Sequence, residues 1–324
     1  MKAALCKSLD GPDGIRVEEI EEPAAGAGEA VVRVRAAGLN FLDTLITRGK
    51  YQTKPALPFS PSAEIAGVVE SIGAGAGGLE IGRRVAACVG WGGAREKVAV
   101  ETGALIPIPD AVPDEVAAGV CVTYGTAIHG LKDRGRVAAG ETVAVLGAAG
   151  GAGLAAVEIA KLMGARVIAA ASSGAKLEVC RAHGADRLLN YTETDLKQGL
   201  TELSGGSGVD IVYDCVGGPY AEPAIRALAW QGRFLVVGFA SGEIARIPLN
   251  LLMLKGAEAA GVFWGEAVKR DPGRHRANMA QVLDWVAAGR LRPRIHATYP
   301  LAETAEAIRV LERREALGKV VLTL

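Results

Sequence analysis

Val143-Ala-Val-Leu-Gly-Ala-Ala-Gly-Gly-Ala-Gly153 carries a short apolar run into glycines and then into a helical pattern, and it reads as a dinucleotide-binding turn. A β-strand delivers the backbone to a tight bend. Gly150 lets the main chain approach a pyrophosphate, Gly153 lets the next helix pack close to the sheet, and the helix N-terminus faces the anion. The expected cradle is the backbone of Ala149, Gly150, Gly151 and Ala152. The fingerprint departs from its usual form, because Ala148 takes the first glycine place and Gly147 precedes it. Glycine-rich turns are weak evidence in a chain with 43 glycines, so context decides. A helix is expected over 154–163, ending at Gly164, and a second apolar strand over 166–171, which together make a strand-helix-strand unit.

The residues just after the second strand bear on the cofactor. An NAD site usually places an Asp or Glu about twenty residues beyond the first glycine, on the ribose 2′-hydroxyl. Here Ala171 is succeeded by Ser172, Ser173 and Lys176, so no carboxylate repels a 2′-phosphate and two hydroxyls plus an ammonium stand ready to hold one. NADP(H) is favoured. The alternative, that the serines cap the next helix and Lys176 lies on its solvated face, does not exclude phosphate binding.

A chain of 324 residues with 50% hydrophobic and 22% charged residues exceeds one typical domain and supports substantial cores, so two domains are expected. Zero net charge and the lack of a basic run interleaved with aromatics argue against a nucleic-acid binder and for a small-molecule partner. No leader-like segment and no apolar run of membrane-spanning length is visible, which gives a cytoplasmic expectation and no membrane partner. The five cysteines lack C-x-x-C spacing and the four histidines form no ligand-spaced pair, which suits reduced thiols and gives no support for a metal site.

Short β-candidates broken by glycine and proline (30–36, 64–72, 84–89 and 97–100) mark a mostly-β first part. From about Val122 strands alternate with helices: 143–146, 167–171, 187–189, 211–215, 234–237 and 259–263. Such alternation means a doubly wound parallel sheet, so the fold class is α/β. Helices over 277–288 and 301–313 and a last strand over 319–324 come next, a stretch with no cofactor fingerprint that is expected to rejoin the first domain.

The order Gly38-Leu-Asn-Phe-Leu-Asp43, Gly49-Lys-Tyr51, Pro61-Ser-Ala-Glu-Ile-Ala-Gly-Val-Val69, Thr123-Tyr-Gly-Thr-Ala127, the glycine turn, Val212-Tyr-Asp-Cys-Val-Gly-Gly218, Gly261-Val-Phe-Trp-Gly265 and Gly318-Lys-Val-Val-Leu322 resembles the quinone oxidoreductase (zeta-crystallin-like) branch of the medium-chain dehydrogenase/reductases. The resemblance covers essentially the whole chain. It implies a GroES-like catalytic domain (1–121, with 266–324 returning to it), a Rossmann domain that binds NADPH (122–265), and a cofactor cleft between them. Zinc-dependent relatives carry a Cys near position 40 and a His just before Glu64; this chain has Asn40 and Ala63, and Cys88 stands alone where a structural-zinc lobe would lie. The branch it resembles works without zinc, by direct hydride transfer to a quinone or related conjugated carbonyl.

By the same resemblance Asn40 and Thr123 lie near nicotinamide and substrate, where an amide and a hydroxyl orient a carbonyl; otherwise Asn40 is a cap residue and Thr123 a helix N-terminal donor. Asp43 is expected to support the local helix, and Glu64 either shapes the cleft or sits in a buried ion pair. Tyr51 is either an amphipathic pocket wall or, if the chain is instead an enoyl-thioester reductase, the proton donor. Phe239, Phe263 and Trp264 are expected to touch the cofactor or wall the cleft, with Trp264 equally fit for a core, and Tyr191 to pack beside the adenosine phosphate. A homodimer pairing at strand 259–263 is expected, since leaving that strand bare invites aggregation. A third reading, of another class, is a cofactor-binding crystallin-like structural or RNA-associated protein.

Overall fold

Residues 1–324 are described by a computed structural model whose elements group into two units, Met1–Val122 with Val268–Leu324, and Thr123–Ala267. In the first unit β1 (Lys2–Cys6) and β2 (Ile15–Glu19) pair antiparallel. The long strand β3 (Glu29–Leu39) buries Val31, Val32 and Val34 and sends Arg33 and Arg35 to solvent, the half-buried pattern of an antiparallel sheet. It pairs with β4 (Glu64–Ile72) on one side, and β5 (Arg84–Cys88) continues the sheet from β4. Strand β6 (Lys97–Glu101) also pairs with β3, and the short β7 (Ile106–Pro107) pairs with β5. Two helices interrupt this part, α1 (Phe41–Ile46) and α2 (Asp114–Ala118).

The next helix, α3 (Cys121–Ile128), precedes a single π-helical turn at His129–Arg134. The second unit then alternates β8 (Thr142–Leu146), α4 (Gly151–Leu162), β9 (Arg166–Ala171), α5 (Gly174–Ala182), β10 (Arg187–Asn190), α6 (Leu196–Leu203), β11 (Val209–Asp214), α7 (Ala221–Arg226), β12 (Leu228–Val236), α8 (Asn250–Lys255), β13 (Glu258–Gly261) and α9 (Trp264–Arg270). All neighbouring strands pair parallel, in the order β10-β9-β8-β11-β12-β13. Covered on both faces, β8 is buried throughout, which is why its sequence is a continuous apolar run rather than an alternation. Strand order reverses between β8 and β11, and the crevice at such a switch point is where ligands of open α/β sheets bind. The quoted glycine turn leaves β8 at that point.

The edge strand is shorter than expected, spanning Glu258–Gly261 rather than 259–263. Val262 still bonds through its N–H to Val236 O (2.9 Å), but its side chain is only 7% exposed and faces Gly130. It points into the unit, while Ala259 and Gly261 are exposed at the edge. A strand's side chains alternate between faces, so Ala259 is the outward side chain of this edge.

The chain returns to the first unit through α10 (Pro272–Ala287), begun by proline and capped where Asp271 accepts from Arg274 N (2.9 Å). Then come β14 (Ile295–Pro300), α11 (Thr304–Glu312) and β15 (Lys319–Thr323). Strand β15 runs antiparallel to β3 and parallel to β14, which completes the order β14-β15-β3-β4-β5-β7. The core of this sheet gathers Val32, Val34, Ile65, Val69, Val85, Ile308, Val320 and Leu322, so residues from both ends of the chain pack as one body.

Asp43 ties α1 to the segment that leads into β4. Its carboxylate accepts from Asn40 N (2.8 Å) and from Ser62 N (2.7 Å), so it supports the helix start as expected. Burial pushes this carboxyl up to about 6, against the lowering effect of its two backbone donors. Below its ordinary value of 3.8 both the folded and unfolded chain hold the proton; between 3.8 and about 6 the folded chain alone keeps it, so stability falls as pH rises through that window. His275, pushed down to about 4 by burial, tilts stability the opposite way over a similar range, so the comparison must be between variants. Urea unfolding of Asp43→Asn and the wild type from pH 4 to 6.5 should show the difference between them drifting by roughly 2 kcal/mol in the variant's favour. A pH-independent difference would contradict this.

Candidate functional site

In the second unit the glycine turn is built as its sequence suggests. Gly147 sits at φ 70° and starts the bend. A Cβ on Gly153 would lie 2.3 Å from Gly147 O and 2.6 Å from Ala148 Cα, so only glycine lets α4 lie so close to the strand end. Gly150 differs, because the nearest protein atom to a Cβ there is Gly147 O at 3.6 Å. The protein itself does not demand glycine at 150, since the space on that side is open. No side chain caps α4, and helix geometry leaves the N–H groups of Gly151, Ala152 and Gly153 without intrahelical acceptors. Ala149 is buried beneath the turn.

Ser172, Ser173, Lys176 and Tyr191 come together beyond the ends of β9 and β10. Ser173 caps α5, its hydroxyl accepting from Lys176 N (3.4 Å), while Lys176 Nζ donates to Ser172 Oγ (3.2 Å). Capping and the hydroxyl-ammonium pair thus coexist. Tyr191 N bonds Ala171 O (3.2 Å), which ties its backbone to the end of β9, and its ring lies tilted against Tyr220, with centroids 4.7 Å apart at 51°. The group at the start of α5 is cationic and hydroxyl-lined.

Asp214, at the end of β11, stands in the 212–218 run but is given no role of its own from sequence. It is buried, and its carboxylate accepts from Val216 N (2.8 Å) and Gly217 N (2.9 Å), shaping the loop against which Gly147 packs through Val216. Phe239 lies over Gly217, with Cδ1 2.8 Å from where a Cβ would be, and is partly exposed. Phe263 is 60% exposed, and nothing in this unit packs it into a wall. Trp264 is buried and lies against Gly125 of α3, two residues beyond the buried Thr123. Below them Tyr124 donates to Glu158 Oε2 (2.7 Å), whose other oxygen meets His183 Nδ1 (2.7 Å), locking α3, α4 and α5 together.

In the first unit Asn40 stands at the N-terminus of α1, in extended conformation. Glu64 is fully buried, and its Oε1 accepts from Asn40 Nδ2 (2.8 Å) and Lys319 Nζ (2.7 Å), its Oε2 from Val122 N (2.7 Å). Lys319 Nζ also donates to Leu39 O (2.8 Å) and Asn40 Oδ1 (2.6 Å), so all three ammonium hydrogens are used. A lysine only donates and a carboxylate only accepts, so the amide of Asn40 has one possible orientation, with one N–H still available. Of the two expectations for Glu64, the buried ion pair is what forms. Lys319 was not recognised as a site residue, although a lysine opening an otherwise apolar, buried strand was the available signal.

Tyr51 lies beyond the end of α1 and packs half-buried against Cys6, Ile46 and Phe59; burial pushes its hydroxyl up, so the phenol is held protonated. All five cysteines are unpaired, and no group of three or more His, Cys, Asp or Glu converges so as to hold a metal ion.

A two-unit chain with a parallel dinucleotide-type sheet and a GroES-like sheet is a dehydrogenase/reductase in class. The alcohol dehydrogenase GroES-like domain matches residues 26–110 and the zinc-binding dehydrogenase domain residues 151–288. Over 324 residues the chain is 37% identical to quinone oxidoreductase-like protein 2 of Rattus norvegicus, covering 100% of this chain and 92% of that one. The quinone oxidoreductase of Thermus thermophilus, solved also in complex with NADPH, superimposes with a TM-score of 0.88 at 38% identity over 100% of both chains. The Escherichia coli quinone oxidoreductase complexed with NADPH gives 0.92 at 26% identity, again over 100% of both. The chain belongs to the medium-chain dehydrogenase/reductase family, among its quinone oxidoreductase-like members.

Removing one partner of a buried ion pair strands the other charge. Lys319→Met should therefore cost about 3–5 kcal/mol in denaturant unfolding, and Glu64→Leu with Lys319→Met should cost clearly less than the sum of the two single changes. Strict additivity would show that the two side chains do not interact as described.

Proposed function

We propose that this chain is a zinc-independent NADPH:quinone oxidoreductase, reducing quinones or related conjugated carbonyls by direct hydride transfer. One observation carries the reading. At position 40, where zinc-dependent members place a thiolate, an amide is clamped by Glu64 and Lys319 with one N–H left to donate, and Ala63 offers no ligand beside it. A fixed amide donor is suited to negative charge growing on a carbonyl oxygen, and being neutral it needs no proton shuffle to act.

The residues of the second unit fit NADPH. Gly150 offers open space and α4 unpaired N–H groups to a pyrophosphate, while Lys176, Ser172 and Ser173 offer charge-assisted and neutral bonds to a 2′-phosphate where no carboxylate opposes it. Tyr191 supplies an aromatic face beside that phosphate. When bound, NADPH supplies the hydride. In the first unit Asn40 orients the reacting carbonyl and Tyr51 walls the acceptor surface with its apolar ring, while a reduced quinone takes its protons from solvent; in the second unit Thr123, Phe239 and Trp264 serve the bound cofactor. A second copy of the chain is proposed to pair at the β13 edge, which leaves Ala259 and Gly261 bare near the exposed apolar residues Met253, Leu254 and Phe263.

Turnover with a panel of quinones, enones and enoyl thioesters decides the activity, and dissociation constants decide the cofactor. NADPH should bind more tightly than NADH, and Lys176→Ala should weaken NADPH alone, by roughly 1–3 kcal/mol. Equal or tighter NADH binding would defeat the assignment. Exhaustive chelation should leave turnover intact, and a preference for enoyl thioesters would move the chain to that reductase class.

Light scattering should report a dimer at micromolar concentration, and Ala259→Lys, exposed within one chain, should weaken it at least tenfold. A monomer, or a dimer indifferent to that change, would rule out this edge.

A further inference from the structure

The loop after β5 is stitched to the segment that leads into Glu64. Val89 N and Gly90 N both bond Ala63 O (2.8 and 3.1 Å), Gly92 N bonds Ser60 O (2.8 Å), Gly93 N bonds Ser62 O (2.9 Å) and Ala94 N bonds Pro61 O (3.0 Å). A Cβ on Gly93 would lie 2.6 Å from Ser62 Oγ, so glycine is what permits this approach. Ser62 in turn donates its N–H to Asp43 Oδ1 (2.7 Å), the residue that holds the N–H of Asn40. The loop therefore stands next to the acceptor surface defined by Asn40 and Tyr51.

Two side chains bound this loop, Trp91 and Arg95. Trp91 is 40% exposed and meets the buried Phe59 edge-on, with centroids 6.3 Å apart at 84°; Phe59 packs in the same cluster as Tyr51. Its indole keeps one side on Phe59 and presents the rest of its apolar area to solvent. Arg95 folds back toward Gly92, where a Cβ would lie 3.5 Å from its Nη2. Its Nε is closed off from solvent with no hydrogen-bond partner, and burial is the sole influence on its pKa, which it lowers. Its neighbour Glu96 is engaged by Lys2 N (2.7 Å). Arginines similarly withdrawn elsewhere have a carboxylate: Arg84 has Asp114 (2.7 Å) and Arg233 has Glu141. A half-buried guanidinium without a counter-charge is costly, and an incoming anion removes that cost.

We propose that Arg95 and Trp91 form an acceptor subsite, in which the indole stacks on a planar conjugated ring and the guanidinium binds an anionic substituent on it, a carboxylate, sulfonate or phosphate. The proposal rests on the reading of Asn40 and Tyr51 as the acceptor surface, and names its substrate class as anionic, planar conjugated carbonyls. Guanidinium geometry suits two-oxygen anions, and the stacking suits a flat ring over a flexible chain.

Steady-state kinetics of the full chain with NADPH test it, using 1,4-naphthoquinone and 1,4-naphthoquinone-2-sulfonate. The wild type should favour the sulfonate in kcat/KM beyond what the same pair shows with Arg95→Gln, and that preference should fall at least tenfold in the variant, chiefly through KM. Arg95→Lys should restore part of it, and Trp91→Ala should raise KM for both acceptors. A preference unchanged in Arg95→Gln would overturn the subsite. Should the wild type reduce neither quinone, the oxidoreductase reading fails separately, and dissociation constants for the sulfonate from tryptophan quenching still decide the point: equal values for the wild type and Arg95→Gln sink the proposal, and a tenfold loss sustains it. Matching thermal unfolding curves exclude a folding defect as the cause.

Discussion

A carboxylate shut away from water must be met by opposite charge and hydrogen-bond donors, and Glu64 obtains them from three distant stretches of chain. Lys319 comes from the last strand, Asn40 from the start of α1 and the N–H of Val122 from α3. The charge alone is of doubtful benefit to stability, since desolvating both partners offsets most of their attraction. Its consequence is positional. The N- and C-terminal segments are held in one sheet, and the amide of Asn40 is left with a single orientation.

The second unit solves a different problem by backbone alone. Parallel strands leave their C-terminal ends pointing one way, and the reversal between β8 and β11 opens a crevice there. Every group proposed for the cofactor's phosphates lies on the loops and helix starts that leave those ends: the glycine turn and α4 start after β8, Ser172 to Lys176 after β9 and Tyr191 after β10, with the Asp214 turn after β11. The strands below are packed too tightly to move, so the loops inherit fixed positions from them.

Local features were legible in the residues. The β4 strand runs over the expected 64–72, and the alternation of strands and helices did mean a parallel sheet. Ser172, Ser173 and Lys176 could be grouped because they fall within five residues, and their contacts arise from one helix start. The inward turn of Val262 was not legible, since period-two reading cannot tell which face of an edge strand is covered. The strands β2 and β14 were missed for a related reason: they are short, and several of their residues face solvent, so hydrophobic pattern marks them weakly, whereas β1 is buried from Ala3 to Cys6 and was missed for its shortness alone.

The sequence by itself determined the fold class, the place of the dinucleotide turn, the lack of a carboxylate after Ala171 and the lack of a thiolate or imidazole at Asn40 and Ala63. These are matters of residue identity and near-neighbour spacing. Only the tertiary structure decided that Lys319 neutralises Glu64, that Asn40 is clamped rather than free, and that Arg95 lies half-buried without a carboxylate, folded back toward Gly92. The physical reason is range. Backbone preference and burial pattern act over a few residues, whereas charge pairing depends on distance in space, and residues 64 and 319 become neighbours only after β15 docks antiparallel against β3.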